Sequence, residues 1–77
     1  MTNLFNRIEL DPRVCSGKPV IKGTRIPISV ILGLIEDGKS WQSILDGYPE
    51  LVREDILAAI HYARASLDHI ELELINV

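Results

Sequence analysis

Polar and apolar positions follow two periods along this chain, first that of strands and then that of helices. Arg7-Ile8-Glu9-Leu10 alternates, the mark of a short half-buried strand, and the turn pair Asp11-Pro12 stops it. Val20-Ile21-Lys22 and Arg25-Ile26 are two β-branched runs on either side of Gly23-Thr24, which predicts two short strands joined by a tight turn. From Ile28 the period lengthens: Ile28, Ile31, Leu32 and Ile35 form one helical stripe, and Val30 and Leu34 widen it, so this helix is expected to be buried on more than one side. Gly38 stands where a left-handed residue ends such a helix. Ser40 then caps a second, short helix with Trp41, Ile44 and Leu45 inward and Gly47-Tyr48-Pro49 as its stop. Its third position is Ser43 rather than Glu, so the reciprocal capping box is absent there. A third helix starts at Val52 or Arg53, places Glu54 and Asp55 on its first turn, and holds Ile56, Ile60, Ala63 and Leu67 on one face, which carries it at least to Leu67. Beyond that point Ile70-Glu71-Leu72-Glu73-Leu74 alternates like a strand, whereas Leu67, Ile70 and Leu74 continue the helical stripe, and both readings stay open.

These elements define a mainly α fold: a short N-terminal β segment followed by a three-helix core, in one domain spanning 1–77 and divided into a β segment at 1–27, a helical core at 28–67 and a C-terminal tail at 68–77. A chain of 77 residues that is 47% hydrophobic carries more apolar surface than a small monomer can bury, so a homodimer or a hetero-oligomer is expected. The likeliest contact is the Arg7 to Pro27 β segment, whose short strands would have few partners within one chain. The start, Met1-Thr2-Asn3-Leu4-Phe5-Asn6-Arg7, lacks a basic region followed by an apolar run, and the longest apolar stretch, Ile26 to Ile35, is interrupted and too short to cross a bilayer. A cytoplasmic protein without a membrane association is the expectation, and the single Cys15, which can form no intrachain disulfide, fits a reducing compartment.

Charge is divided along the chain more sharply than its net value of −3 suggests. Residues 1–35 hold five cations against two carboxylates, and residues 36–77 hold three against nine. Such asymmetry points to nucleic acid at the basic end and a basic partner at the acidic end. The segment from Gly17 to Pro27 concentrates Lys18, Lys22 and Arg25 within a unit punctuated by two glycines and two prolines. These cations either present charge to a partner or solvate a hairpin.

The residues that catalysis needs are scarce. His61 and His69 lie eight apart, whereas a helical metal pair wants a spacing of four, and Gly17-Lys18-Pro19 has a proline where a phosphate cradle wants a free N–H. Glu36-Asp37 and Glu54-Asp55 are adjacent carboxylates, which diverge on a helix and read as solvated ends. Trp41 and Tyr48 read as core fillers around the second helix. No enzyme activity, cofactor or metal is expected.

The run Gly17-Lys18-Pro19-Val20-Ile21-Lys22-Gly23-Thr24-Arg25-Ile26-Pro27, followed by Gly38-Lys39-Ser40, Ile44-Leu45, Tyr48-Pro49 and Asp55-Ile56 through Tyr62-Ala63, strongly resembles the domain of unknown function 433 family, from about Arg7 to Ala63. The resemblance implies a homeodomain-like, helix-turn-helix core behind a short β segment, and an antitoxin of a type II toxin-antitoxin pair encoded beside a PIN-like ribonuclease. One departure is visible: the family's Thr, Ser or Asn cap on the third helix is replaced by Val52, and a missing cap costs about 0.5–2 kcal/mol.

The leading expectation is therefore an antitoxin that binds and neutralises a PIN-like ribonuclease toxin. Its partner-binding residues would be Leu67, Asp68, Ile70, Glu71, Leu72, Glu73, Leu74 and Ile75, because an RNA-cleaving surface must be basic and this segment is acidic and apolar. The same segment could instead be an ordinary terminal element packed on its own domain. The alternative function is a helix-turn-helix DNA-binding transcriptional regulator without a toxin partner. Against a conventional recognition helix stand Glu54 and Asp55, which would face phosphates. Operator DNA, if bound, would then meet Lys18, Lys22 and Arg25, with Glu54→Ala and Asp55→Ala having little effect.

Overall fold

In a computed structural model, the protein is described over residues 4–75, with side chains over 6–68. A 3-10 turn, Leu4–Arg7, leads into strand β1 (Ile8–Glu9), and a second tight turn at Cys15–Gly17 precedes strand β2 (Val20–Ile21). Three helices follow: α1 (Ile28–Glu36), α2 (Trp41–Gly47) and α3 (Arg53–Ile75). This is the mainly α architecture expected, with α2 and α3 joined by a short turn in helix-turn-helix order.

The strand partners differ from the sequence reading. β2 pairs antiparallel with β1, Ile8 opposite Ile21 and Glu9 opposite Val20. Arg25-Ile26 is not a strand; the return chain meets β2 only through a Val20–Pro27 bridge and an Ile21 N–H donated to the Ile26 carbonyl at 3.0 Å. The turn between them is too tight for a second ladder. The Thr24 N–H and hydroxyl both donate to the Ile21 carbonyl, Thr24 Oγ1 accepts the Ile26 N–H, and Gly23 takes a φ of +83°. That positive φ is what the third position of a type II turn requires. β2 is consequently flanked on both sides within one chain, so of the two strands only the two-residue β1 keeps an open edge.

Helix α1 ends as its glycine predicts. The Lys39 N–H reaches the Leu34 carbonyl and the Gly38 N–H the Ile35 carbonyl, with Gly38 at φ +84°, the bonding of a Schellman motif. Ser40 Oγ accepts the Ser43 N–H at 3.1 Å and so caps α2. The core is built from Ile21, Ile28, Ile31, Ile44, Leu51, Ile56 and Ala59, with Leu34, Ile35, Trp41, Leu45, Tyr48 and Tyr62 packed around it. Val30 is exposed, so α1 buries a narrower stripe than expected.

The larger correction concerns α3. Ile56 is buried, but Ile60 is 36% exposed, and it is Asp55, Ala58 and Ala59 that join Ile56 against the core. Small residues let the helix axis approach α1 and the Leu4–Arg7 turn closely, which turns the bulkier Ile60 away. A reading weighted by side-chain size picks the wrong phase. Backbone order continues as helix through Ile75, which settles the strand-or-helix alternative for 70–74 in favour of helix.

Candidate interaction surfaces

Val52 leaves the N-terminus of α3 without a side-chain acceptor, and Asp55, three residues on, supplies one. Its Oδ2 accepts the Val52 N–H at 3.0 Å, the half of a capping box that reaches backwards. Its Oδ1 accepts Nη1 of Arg7 at 3.0 Å, across 48 residues of sequence. Asp55 is only 4% exposed, so this carboxylate is no solvated helix end, contrary to the sequence reading, while Glu54 beside it is exposed. Arg7 is tied down through its backbone as well, because its carbonyl accepts the Lys22 N–H at 2.8 Å. One arginine thus joins the 3-10 turn, the β2 turn and α3. The Val52-x-x-Asp55 spacing was the available signal for the cap; nothing local signalled Arg7.

Arg53 also has an unforeseen place, its guanidinium lying 4.5 Å from the centroid of the Trp41 ring. Trp41 packs on the core as expected, but its outer face is covered by this cation. The first turn of α3 therefore offers solvent Arg53, held over the Trp41 ring, and Glu54, while Asp55 is buried.

Lys18, Lys22 and Arg25 are all exposed, and none forms an ion pair with a described residue. They are not equivalent. Lys22 and Arg25 bracket the Gly23-Thr24 turn, whereas Lys18 borders an open groove of about 370 Å³ between α1 and α3. Pro19, Ile28, Leu32, Tyr62 and Ala63 give that groove its apolar lining, and exposed Ser29 and Ser66 join Lys18 as its polar members. The structure so brings one predicted cation next to the part of α3 where the predicted partner segment begins. Leu67 and Asp68 are exposed immediately after Ser66. The side chains of Ile70, Glu71, Leu72, Glu73, Leu74 and Ile75 lie outside the described residues.

The loop before β2 is conformationally unusual. Cys15 and Ser16 have φ of 50° and 57° and Gly17 follows at 82°, a left-handed turn of which only the glycine is free of steric cost. The turn is held by the Gly17 N–H on the Val14 carbonyl and the Lys18 N–H on the Cys15 carbonyl, and the Cys15 thiol donates to the Arg25 carbonyl at 3.3 Å. Just upstream, Arg13 donates from its side chain and backbone to Asp11, which holds the Asp11 carboxyl below its ordinary range and raises Arg13. Among the described residues no helix is long and apolar enough to cross a membrane.

A three-helix core behind a β1–β2 pair, with exposed cations around the β2 turn and a long third helix, defines a small, mainly helical class of protein. Residues 8–63 match the family described as protein of unknown function DUF433, and the chain belongs to that family. It is 34% identical over 55 residues to uncharacterized protein y4eO of Sinorhizobium fredii (strain NBRC 101917 / NGR234), a match that takes in 71% of this chain and 25% of that protein. The chain thus spans about a quarter of the length of this curated relative. The crystal structure of a DUF433 member protein from Anabaena variabilis ATCC 29413 superimposes with a TM-score of 0.77 at 35% identity, covering 94% of this chain and 71% of that one.

Proposed function

We propose that this protein is the antitoxin of a type II toxin-antitoxin pair and that its α3 extension covers a PIN-like ribonuclease. What supports the reading is a helix that outruns its own core. Among the described residues the last core contact on α3 is Tyr62, yet the helix continues to Ile75, and Leu67 on the way is 62% exposed. The sequence of that extension combines Leu67, Ile70, Leu72, Leu74 and Ile75 with Asp68, Glu71 and Glu73 and contains no Lys or Arg. Apolar residues interspersed in sequence with carboxylates complement the basic, water-excluding surround that an RNA-cleaving site needs.

Truncation after Leu67 tests it. The shortened chain is expected to melt cooperatively, since the core lies upstream, but to lose co-purification with the neighbouring gene's nuclease and to leave RNA unprotected from it. Full neutralisation by the truncated chain, or no nuclease beside the gene, would end the reading.

Operator binding is a second activity favoured by the unpaired exposure of Lys18, Lys22 and Arg25. Affinity for operator DNA should then fall steeply with salt and vanish on triple charge reversal at these positions, because cations on phosphates release counterions. Normal binding by the triple variant would assign the contact elsewhere. Asp55→Ala is no control in that experiment, since it removes a buried structural group.

A further inference from the structure

The outward face of α3 carries an order of its own. Leu57, Ile60, Arg64 and Leu67 recur at steps of three and four, and Leu57, Ile60 and Leu67 are 39%, 36% and 62% exposed, with Arg64 exposed between them. The sequence continues the same alternation with Glu71 and Leu74, and the helical backbone runs through both. Six positions in this spacing are the seam of a coiled coil, a contact that needs a second helix. The seam is separate from the core face of Ile56 and Ala59 and from the groove formed with α1.

Its two charged members say which helix. In a parallel pair of identical helices Arg64 would lie on Arg64 and Glu71 on Glu71, two repulsive layers in a partly desolvated seam. In an antiparallel pair with Arg64 opposite Leu67 of the second copy, Ile60 falls opposite Glu71 and Leu57 opposite Leu74. Arg64 is then one layer from Glu71 of the second copy, within reach of a long side chain, and the two-fold axis repeats the contact. Sliding this register by a heptad in either direction uncovers two of the six positions at one end. Only the antiparallel alignment centred between Arg64 and Leu67 covers all six, over about 26 Å of helix. We propose that α3 pairs antiparallel with α3 of a second copy in this register. The proposal does not rest on the nuclease reading and narrows it: with Leu67, Glu71 and Leu74 taken by the second copy, Asp68, Ile70, Leu72, Glu73 and Ile75 occupy other positions of the repeat and remain for a nuclease.

Sedimentation equilibrium and pairwise cysteine trapping test it on the full 77-residue chain in a Cys15→Ser background. The native protein is expected to be a dimer at micromolar concentration. Arg64→Glu and Glu71→Arg should each raise the dimer dissociation constant about tenfold or more, and the double swap, which restores complementarity only between antiparallel copies, should recover most of it. Under oxidation, Leu57→Cys mixed with Leu74→Cys should form a mixed disulfide, while neither variant links to itself. A folded monomer at 100-fold higher concentration (on the order of 100 μM, where even weak specific pairs form) would overturn the proposal. So would self-linking of Leu57→Cys, which marks a parallel pair, or a dimer indifferent to both charge reversals, which places the interface elsewhere. Circular dichroism melts of the charge variants separate loss of pairing from loss of folding, and Arg64 is exposed outside the core.

Discussion

Asp55→Ala is expected to lower the unfolding free energy by about 2–4 kcal/mol, a large fraction of what a domain this size has. The carboxylate is buried and accepts two bonds: one from the otherwise orphaned Val52 N–H and one from Arg7. Truncation abandons the first donor at a helix end and strips the second of its counter-charge. Arg7 is about one-third exposed and recovers some hydration, which holds the figure below that of a fully buried pair. Asp55→Asn keeps an acceptor for Val52 and should cost less than the alanine variant, whereas Arg7→Ala leaves the cap intact and removes only the ion pair. Urea titrations with an unchanged m-value would establish the order. A loss below about 0.5 kcal/mol for Asp55→Ala, the scatter of ordinary surface substitutions, would contradict the account.

Ile31→Ala should cost about 2–5 kcal/mol, while Val30→Ala, one residue away, stays within about 0.5 kcal/mol. Ile31 has no exposed surface and sits in the cluster with Ile21, Ile44 and Ile56, so the deleted methyl groups leave a cavity that four elements border. Val30 is 37% exposed, about 100° around α1 from Ile31, and loses little that water does not replace. Thermal melts of the two variants are the measurement. A comparable loss from Val30→Ala would mean that its face is covered, as the sequence pattern had suggested.

Val30 illustrates how far pattern reading carries in this chain. The three helices, the Gly38 stop and the Ser40 cap were legible because each depends on neighbours within four residues, where spacing and backbone chemistry decide the outcome. The phase of α3 was not, because it depends on how closely Ala58 and Ala59 let the helix approach the rest of the core. Strand pairing failed for a similar reason: a turn as tight as Ile21–Thr24 looks like a hairpin locally, yet the better ladder comes from Ile8 and Glu9, a dozen residues upstream. Of the surfaces, Lys18, Lys22, Arg25 and Leu67 are exposed where the sequence placed them. The groove beside Lys18 and the Arg53–Trp41 stack required tertiary information, since their members come from separate elements.

The Arg7–Asp55 contact has a temporal meaning as well as an energetic one. Turns, helices and the β1–β2 pair can form from short-range encounters, but this contact must close a loop of 48 residues, and such closure is costly until the intervening elements have docked. It is therefore expected to form late and open early, with the amides at the start of α3 exchanging with solvent in step with those of the Leu4–Arg7 turn rather than with the middle of their own helix. Hydrogen exchange is the measurement, and slower exchange at both ends than in the middle of α3 would overturn this order for the latch that fastens the beginning of the chain to its third helix.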